Sequence, residues 1–177
     1  MQTLSKGYIQ IYTGNGKGKT TAAIGQAVRA AGFGLKTYFV QLMKDFNYNE
    51  LKSLNLLKEN ITVEQFGNDS FVFAKEPPSK HMIIKVKAGL SSAKQKMLSG
   101  KFDLIILDEV CVSIYFKLLT IDEVINFLKM KPENVEIILT GRYCPDKIIE
   151  LADLVTEMKE TKHYYNSGVE ARKGIES

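Results

Sequence analysis

"GNGKGKTT", residues 14–21, lies between the run "YIQIYT" (8–13) and the small-residue stretch "AAIGQAVRAAG" (22–32). A strand, a glycine-rich turn and a helix that opens on Lys-Thr form a phosphate-binding arrangement. Glycines let successive backbone N–H groups turn inward at a helix N-terminus, where the dipole favours anions. Lys19 adds a point charge, and the Thr20 hydroxyl is a hard oxygen suited to Mg²⁺. The usual pattern asks for glycine, four residues, then Gly-Lys-Ser/Thr. Here Gly18, Lys19 and Thr20 fit, but Thr13 stands where the first glycine is expected, with Gly14 and Gly16 inside the loop.

Beyond this stretch, five further short runs are rich in β-branched residues: "KTYFVQL" (36–42), "ITVEQF" (61–66), "FDLIILD" (102–108), "VEIILTG" (135–141) and "LVTEM" (154–158). Apolar on both faces, they read as strands buried from both sides. Helical patterns separate them. "TIDEVINFLKM" (120–130) places Ile121, Val124, Ile125 and Leu128 on one face behind a Thr120/Glu123 capping box. A longer helix is expected from about Ser79 to Leu98 with Met82, Val86, Ala93 and Met97 inward, and a third begins near Pro145. Alternating strand and helix predicts an α/β fold with a mostly parallel sheet flanked by helices.

Ligands in such sheets gather at the carboxyl ends of strands. Thr13–Thr21, Gln41–Lys44, Phe66–Ala74, Asp108–Glu109 and Thr140–Arg142 should therefore converge on one edge. "LIILDE" ends a hydrophobic strand on Asp108 and Glu109, where a nucleotide site needs a carboxylate for magnesium, and alternation along a strand would send the two to opposite faces. Arg142 follows the next strand and can clamp a polyphosphate with its planar fork. Phe71 and Phe73 would share a face if extended. His81 and His163 are isolated and read as surface or packing residues.

The 177 residues, 45% of them hydrophobic, suffice for one well-buried core, and a single domain over 1–177 is expected. Net charge is +4, with acidic and basic residues interleaved instead of forming one basic arm, so the mild excess suits an anionic small ligand as well as nucleic acid. Cys111 and Cys144 lack C-x-x-C spacing, and no signal-like or membrane-spanning stretch is present, which points to a reduced cytoplasmic protein.

Together "TGNGKGKTT", "VQLMK", "LDE", "LTGR", "IIELADLVTEMKETKH" and "SGVEARKGIE" resemble the ATP:corrinoid adenosyltransferases of the cob(I)alamin / cob(I)yrinic acid a,c-diamide type, over about Gly7 to Glu176. The resemblance implies a recombinase-like P-loop NTP-binding fold, usually dimeric. It implies transfer of the 5′-deoxyadenosyl group of ATP to the Co(I) centre of a reduced corrinoid, with release of triphosphate. By that resemblance Gly14, Asn15, Gly16, Lys17, Gly18, Lys19, Thr20 and Thr21 line the triphosphate site. Thr20 and Glu109 bind Mg²⁺, Arg142 contacts phosphate, and Lys19, Thr20, Glu109 and Arg142 carry catalysis. Phe71 and Phe73 lie under the corrin in place of the lower axial ligand. A reductase protein supplies electrons, and neither nucleic acid nor membrane takes part. The competing readings are a P-loop kinase or NTPase that moves the γ-phosphoryl group, and a nucleic-acid-stimulated ATPase for which "KHYYN" (162–166) is the best local candidate.

Overall fold

The computed structural model describes residues 3–67 and 77–176. Phe71 and Phe73 lie outside the described residues, as does most of the segment Phe66–Ala74. The chain runs β1 (Ile9–Thr13), α1 (Lys19–Phe33), β2 (Thr37–Leu42), α2 (Asn49–Asn55), β3 (Ile61–Phe66), α3 (Lys80–Leu98), β4 (Leu104–Asp108), α4 (Val110–Tyr115), α5 (Ile121–Lys129), β5 (Glu136–Thr140), α6 (Asp146–Ile149) and β6 (Leu154–Glu157), then a 3₁₀ turn at Tyr164–Ser167. The sheet order is β3-β2-β4-β5-β1-β6, and every pair is parallel.

Each run read as a strand forms one. β2 and β4 are buried at every residue, but the edge strands differ from the expected burial on both sides: β3 is mostly half-buried and β6 is exposed throughout, because each has a neighbour on one side only. One core layer joins β2, β4 and β5 to α3, α4 and α5 through Val40, Leu42, Val86, Ile105, Leu107, Val110, Val124 and Leu139. The other packs the alanine face of α1, Ala23, Ala27 and Ala30, against Phe39, Leu104, Ile106 and Ile138. Small residues on α1 let that helix lie close to the sheet, which brings its N-terminus down to the strand ends. Met82, Val86, Ala93 and Met97 of α3 are all buried, and Ser79 caps that helix by accepting from Met82 N. The Thr120/Glu123 capping box is formed in both directions. The helix expected near Pro145 is a single turn, with Pro145 as its cap.

Register fixes which strand ends meet. Tyr12 aligns with Thr140, and Gln41 with Asp108. The carboxyl ends of β1, β5, β4 and β2 thus form one ledge under the loop 14–18.

Candidate active site

α1 is entered through Gly18, the residue before it, which has φ 117°; no side chain caps the helix, and its first turn carries no acidic residue. Its leading N–H groups, which an internal helix turn cannot satisfy, are left for an anion. The loop that delivers them is tight. A side chain on Gly14 would meet Met158 O at 2.5 Å and one on Gly16 would meet it at 2.7 Å, while Gly16 N donates to the same carbonyl at 2.7 Å. Thr13, in the place of the usual first glycine, is a structural tie. Its hydroxyl donates to Gly141 O at 2.9 Å and joins the end of β1 to the turn after β5.

Lys19 is only 8% exposed, and its ammonium donates to Gly16 O at 2.6 Å, arching along the inside of the loop. Burial holds its pKa below the ordinary lysine value, against the attraction of Glu109. Thr20 Oγ1 donates to Asp108 Oδ1 at 2.8 Å, Thr140 Oγ1 donates to the same oxygen at 2.6 Å, and Lys44 Nζ donates to Asp108 Oδ2 at 2.8 Å. Asp108 is wholly buried and its carboxylate is fully engaged. Burial opposes the charge on Lys44, but Asp108 more than offsets it and raises the ammonium well above its usual value.

The expected alternation of Asp108 and Glu109 does not hold. The strand stops at Asp108, and Glu109 adopts a left-handed conformation, φ 62°, with its N–H on Thr140 Oγ1 at 3.0 Å. That turn keeps both carboxylates on the same edge. Burial first, and Asp108 second, push the Glu109 carboxyl above the ordinary carboxylate range. Met43 and Tyr143 also have positive φ, at 62° and 59°. Met43, Glu109 and Tyr143 end β2, β4 and β5 or follow them closely, so three strained backbones ring one place, as is common at functional sites.

Two cavities open there. The larger, 780 Å³, is lined by Gly16–Thr21, Lys44, Tyr48, Glu109 and Arg142, among others. The second, 480 Å³, shares Lys44, Tyr48, Glu109 and Arg142 with it and adds the more apolar Leu42, Met43, Val112 and Phe116. The expected convergence of strand ends is therefore present for the P-loop, Lys44, Glu109 and Arg142. Tyr48, Asn49, Glu50 and Ser53, delivered by α2 and the residue before it, and Gly174–Glu176 also line the larger cavity; none of them has a site role in the sequence reading, where Gly174–Glu176 enter only within the block "SGVEARKGIE". His163, read as a surface or packing residue, lines the larger cavity. Lys17, expected among the phosphate ligands, borders the cavity but turns its ammonium to the C-terminal segment, at 3.0 Å from Glu176.

The oxygen donors around Thr20, hydroxyl and carboxylate, are of the hard type that Mg²⁺ takes beside phosphate, so the residues present fit that ion. Among the described residues no cluster of three or more His, Cys, Asp or Glu side chains stands ready to hold a metal by itself. A cation here would share its shell with a ligand's oxygens and water.

Residues 5–177 match the family model for the ATP:corrinoid adenosyltransferases BtuR/CobO/CobP. The chain belongs to that family. It is 34% identical over 171 residues to the corrinoid adenosyltransferase of Escherichia coli K12, an alignment spanning 97% of this chain and 86% of that one. The corrinoid adenosyltransferase CobA of Salmonella typhimurium is likewise 34% identical, with 97% and 86% covered. A Sinorhizobium corrinoid adenosyltransferase is 33% identical over 178 residues, covering 99% and 82%. Among solved structures, the flagellar accessory protein FlaH of Methanocaldococcus jannaschii superposes with a TM-score of 0.59 over 87% of this chain and 72% of its own, at 13% identity. That likeness speaks for the fold alone. The chain is thus an enzyme that transfers an adenosyl group from ATP to a corrinoid.

Proposed function

We propose that the site holds the phosphates of ATP in order that they leave. The Co(I) centre of the reduced corrinoid, an electron-pair donor, attacks the 5′ carbon of ATP. The cobalt–carbon bond forms, the C5′–O bond breaks, and triphosphate departs with the bonding pair, leaving cobalt formally Co(III). Negative charge grows on the departing oxygen, so the stabilising groups belong at the phosphates.

The observation that carries this reading is the rim shared by the two cavities. The cradle of Gly16–Thr21 opens, across Lys44, Tyr48, Glu109 and Arg142, into a second and more apolar space. A second substrate can approach there without crossing the phosphates. The open N-terminus of α1 and Lys19 stabilise the leaving group, and Arg142 supplies a further cation at its edge. Thr20 and Glu109 would hold Mg²⁺, with Asp108 fixing the Thr20 hydroxyl; the ion would supply charge neutralisation of the triphosphate. Phe71 and Phe73 are assigned to the lower face of the corrin, where an apolar wall without a lone pair makes the cobalt easier to reduce. A reductase protein as electron donor, a homodimeric state and a cytoplasmic location complete the reading.

Incubation with ATP, Mg²⁺ and chemically reduced cobalamin should give a light-sensitive cobalt–carbon product and triphosphate. Formation of ADP and orthophosphate in its place would mean phosphoryl transfer.

A further inference from the structure

The loop carries two lysines that face different ways. Lys19 turns inward, whereas the Lys17 ammonium donates to Tyr164 Oη at 3.3 Å, Ile175 O at 3.1 Å and Glu176 Oε1 at 3.0 Å. An ammonium has three protons to give, and all of those on Lys17 go to the C-terminal segment. Glu176 is the hub of that contact. Its Oε1 also accepts from the Tyr164 hydroxyl and from Arg172 Nη2 at 3.1 Å, and its Oε2 accepts from Arg172 N at 2.8 Å and Nε at 3.3 Å. The Arg172 guanidinium lies over the Tyr164 ring, 5.0 Å from its centre. Although its cationic partners are half exposed, the Glu176 side chain retains only 15% of its exposure. Arg172 and then Tyr164 hold its carboxyl well below the usual range.

This hub sits beside the phosphate loop. The segment is pinned at its root, where Met158 O accepts from Gly16 N at 2.7 Å, and again at its end by Lys17. Between the two it arches along the loop and presents His163, Gly174, Ile175 and Glu176 to the 780 Å³ cavity. A lone surface ion pair contributes little, because solvent screens it and ordering two long side chains costs entropy. Several donors converging on one carboxylate form a network, and the free energy they supply goes into keeping this segment in one arrangement. We propose that Glu176 is a positioning residue for the nucleotide, acting through Lys17, Tyr164 and Arg172 to fasten the segment His163–Glu176 as one wall of the nucleotide cavity. The inference rests on the reading of that cavity as the ATP site.

A wall that is formed in advance leaves ATP less to order. Apparent affinity is the intrinsic affinity reduced by the fraction of molecules in the competent arrangement, so releasing the wall raises the apparent dissociation constant and touches the chemical step less. In Glu176→Gln, within the full-length enzyme, KM for ATP rises about three- to tenfold and most of the loss in kcat/KM lies in KM. Trypsin then cleaves faster after Arg172 and Lys173, ATP slows that cleavage in the wild type, and the effect of ATP is weaker in the variant. Glu170→Gln, which removes an exposed carboxylate of the same segment outside this hub, retains the wild-type behaviour. Tm of the nucleotide-free variant stays close to the wild-type value, which separates this role from a merely structural one. An unchanged KM, whether or not cleavage accelerates, overturns the proposal, as does a loss confined to kcat. If wild-type enzyme shows ATP protection of the segment but makes no cobalt–carbon product, the positioning role stands and the reaction assigned to the site fails.

Discussion

Thr20 Oγ1 donates to Asp108 Oδ1 at 2.8 Å. A residue at the start of α1 is thereby oriented by the end of β4, and the same carboxylate neutralises Lys44 beneath the cavity. Asp108→Asn keeps the shape and removes the charge, leaving the mostly buried Lys44 ammonium without its counter-ion. Breaking one partner of such a pair costs about 3–5 kcal/mol. Urea unfolding should report a loss of that order, and a loss below about 1 kcal/mol would show that water reaches Lys44 freely.

Glu109 should cost stability that the site requires. Its carboxyl is raised by burial and by Asp108, so the fold favours the protonated form. That contribution is fully present below the ordinary value of 4.5 and is lost as pH rises through the raised value. At neutral pH the charged side chain is therefore a cost that Glu109→Gln removes. Thermal melts of the nucleotide-free protein should show the variant more stable than wild type near neutrality, with the gain fading as pH falls toward 4.5, while adenosyl transfer drops. A stability difference that does not vary with pH would contradict this.

Lys19→Ala removes a buried cation from the proposed leaving-group cradle. Losing one such donor in a closed site costs about 2.7–4 kcal/mol, or roughly 10²–10³ in rate. Single-turnover kinetics at saturating ATP measure it, and a near-wild-type rate would remove Lys19 from catalysis.

The legible and illegible parts of this chain divide along physical lines. All six strands can be read to within a residue or two, but for different reasons: burial on both faces leaves a nearly unbroken apolar signature in β2, β4 and β5, as in "LIIL", whereas β3 is only partly buried and β6 is exposed throughout, and these are legible from their β-branched residues alone. The P-loop is legible because its chemistry is local. α4, "VCVSIY", is not: its β-branched residues suit a strand, and it becomes a helix because the chain turns left-handed at Glu109. α2 is short and polar with only Leu54 buried, so it has no periodic face to read. The approach of Glu176 to Lys17 joins residues 159 positions apart, and no local pattern encodes it.

In the proposed reaction carbon, not phosphorus, is attacked, and a donor whose β,γ bridge cannot be hydrolysed separates the two. Because the bond broken is C5′–O, reduced cobalamin with β,γ-imido-ATP should yield the light-sensitive cobalt–carbon product together with an equal amount of intact imidotriphosphate, followed by phosphorus NMR. Product from ATP alone, accompanied by ADP and orthophosphate and with no reaction of the bridged donor, would contradict attack at carbon.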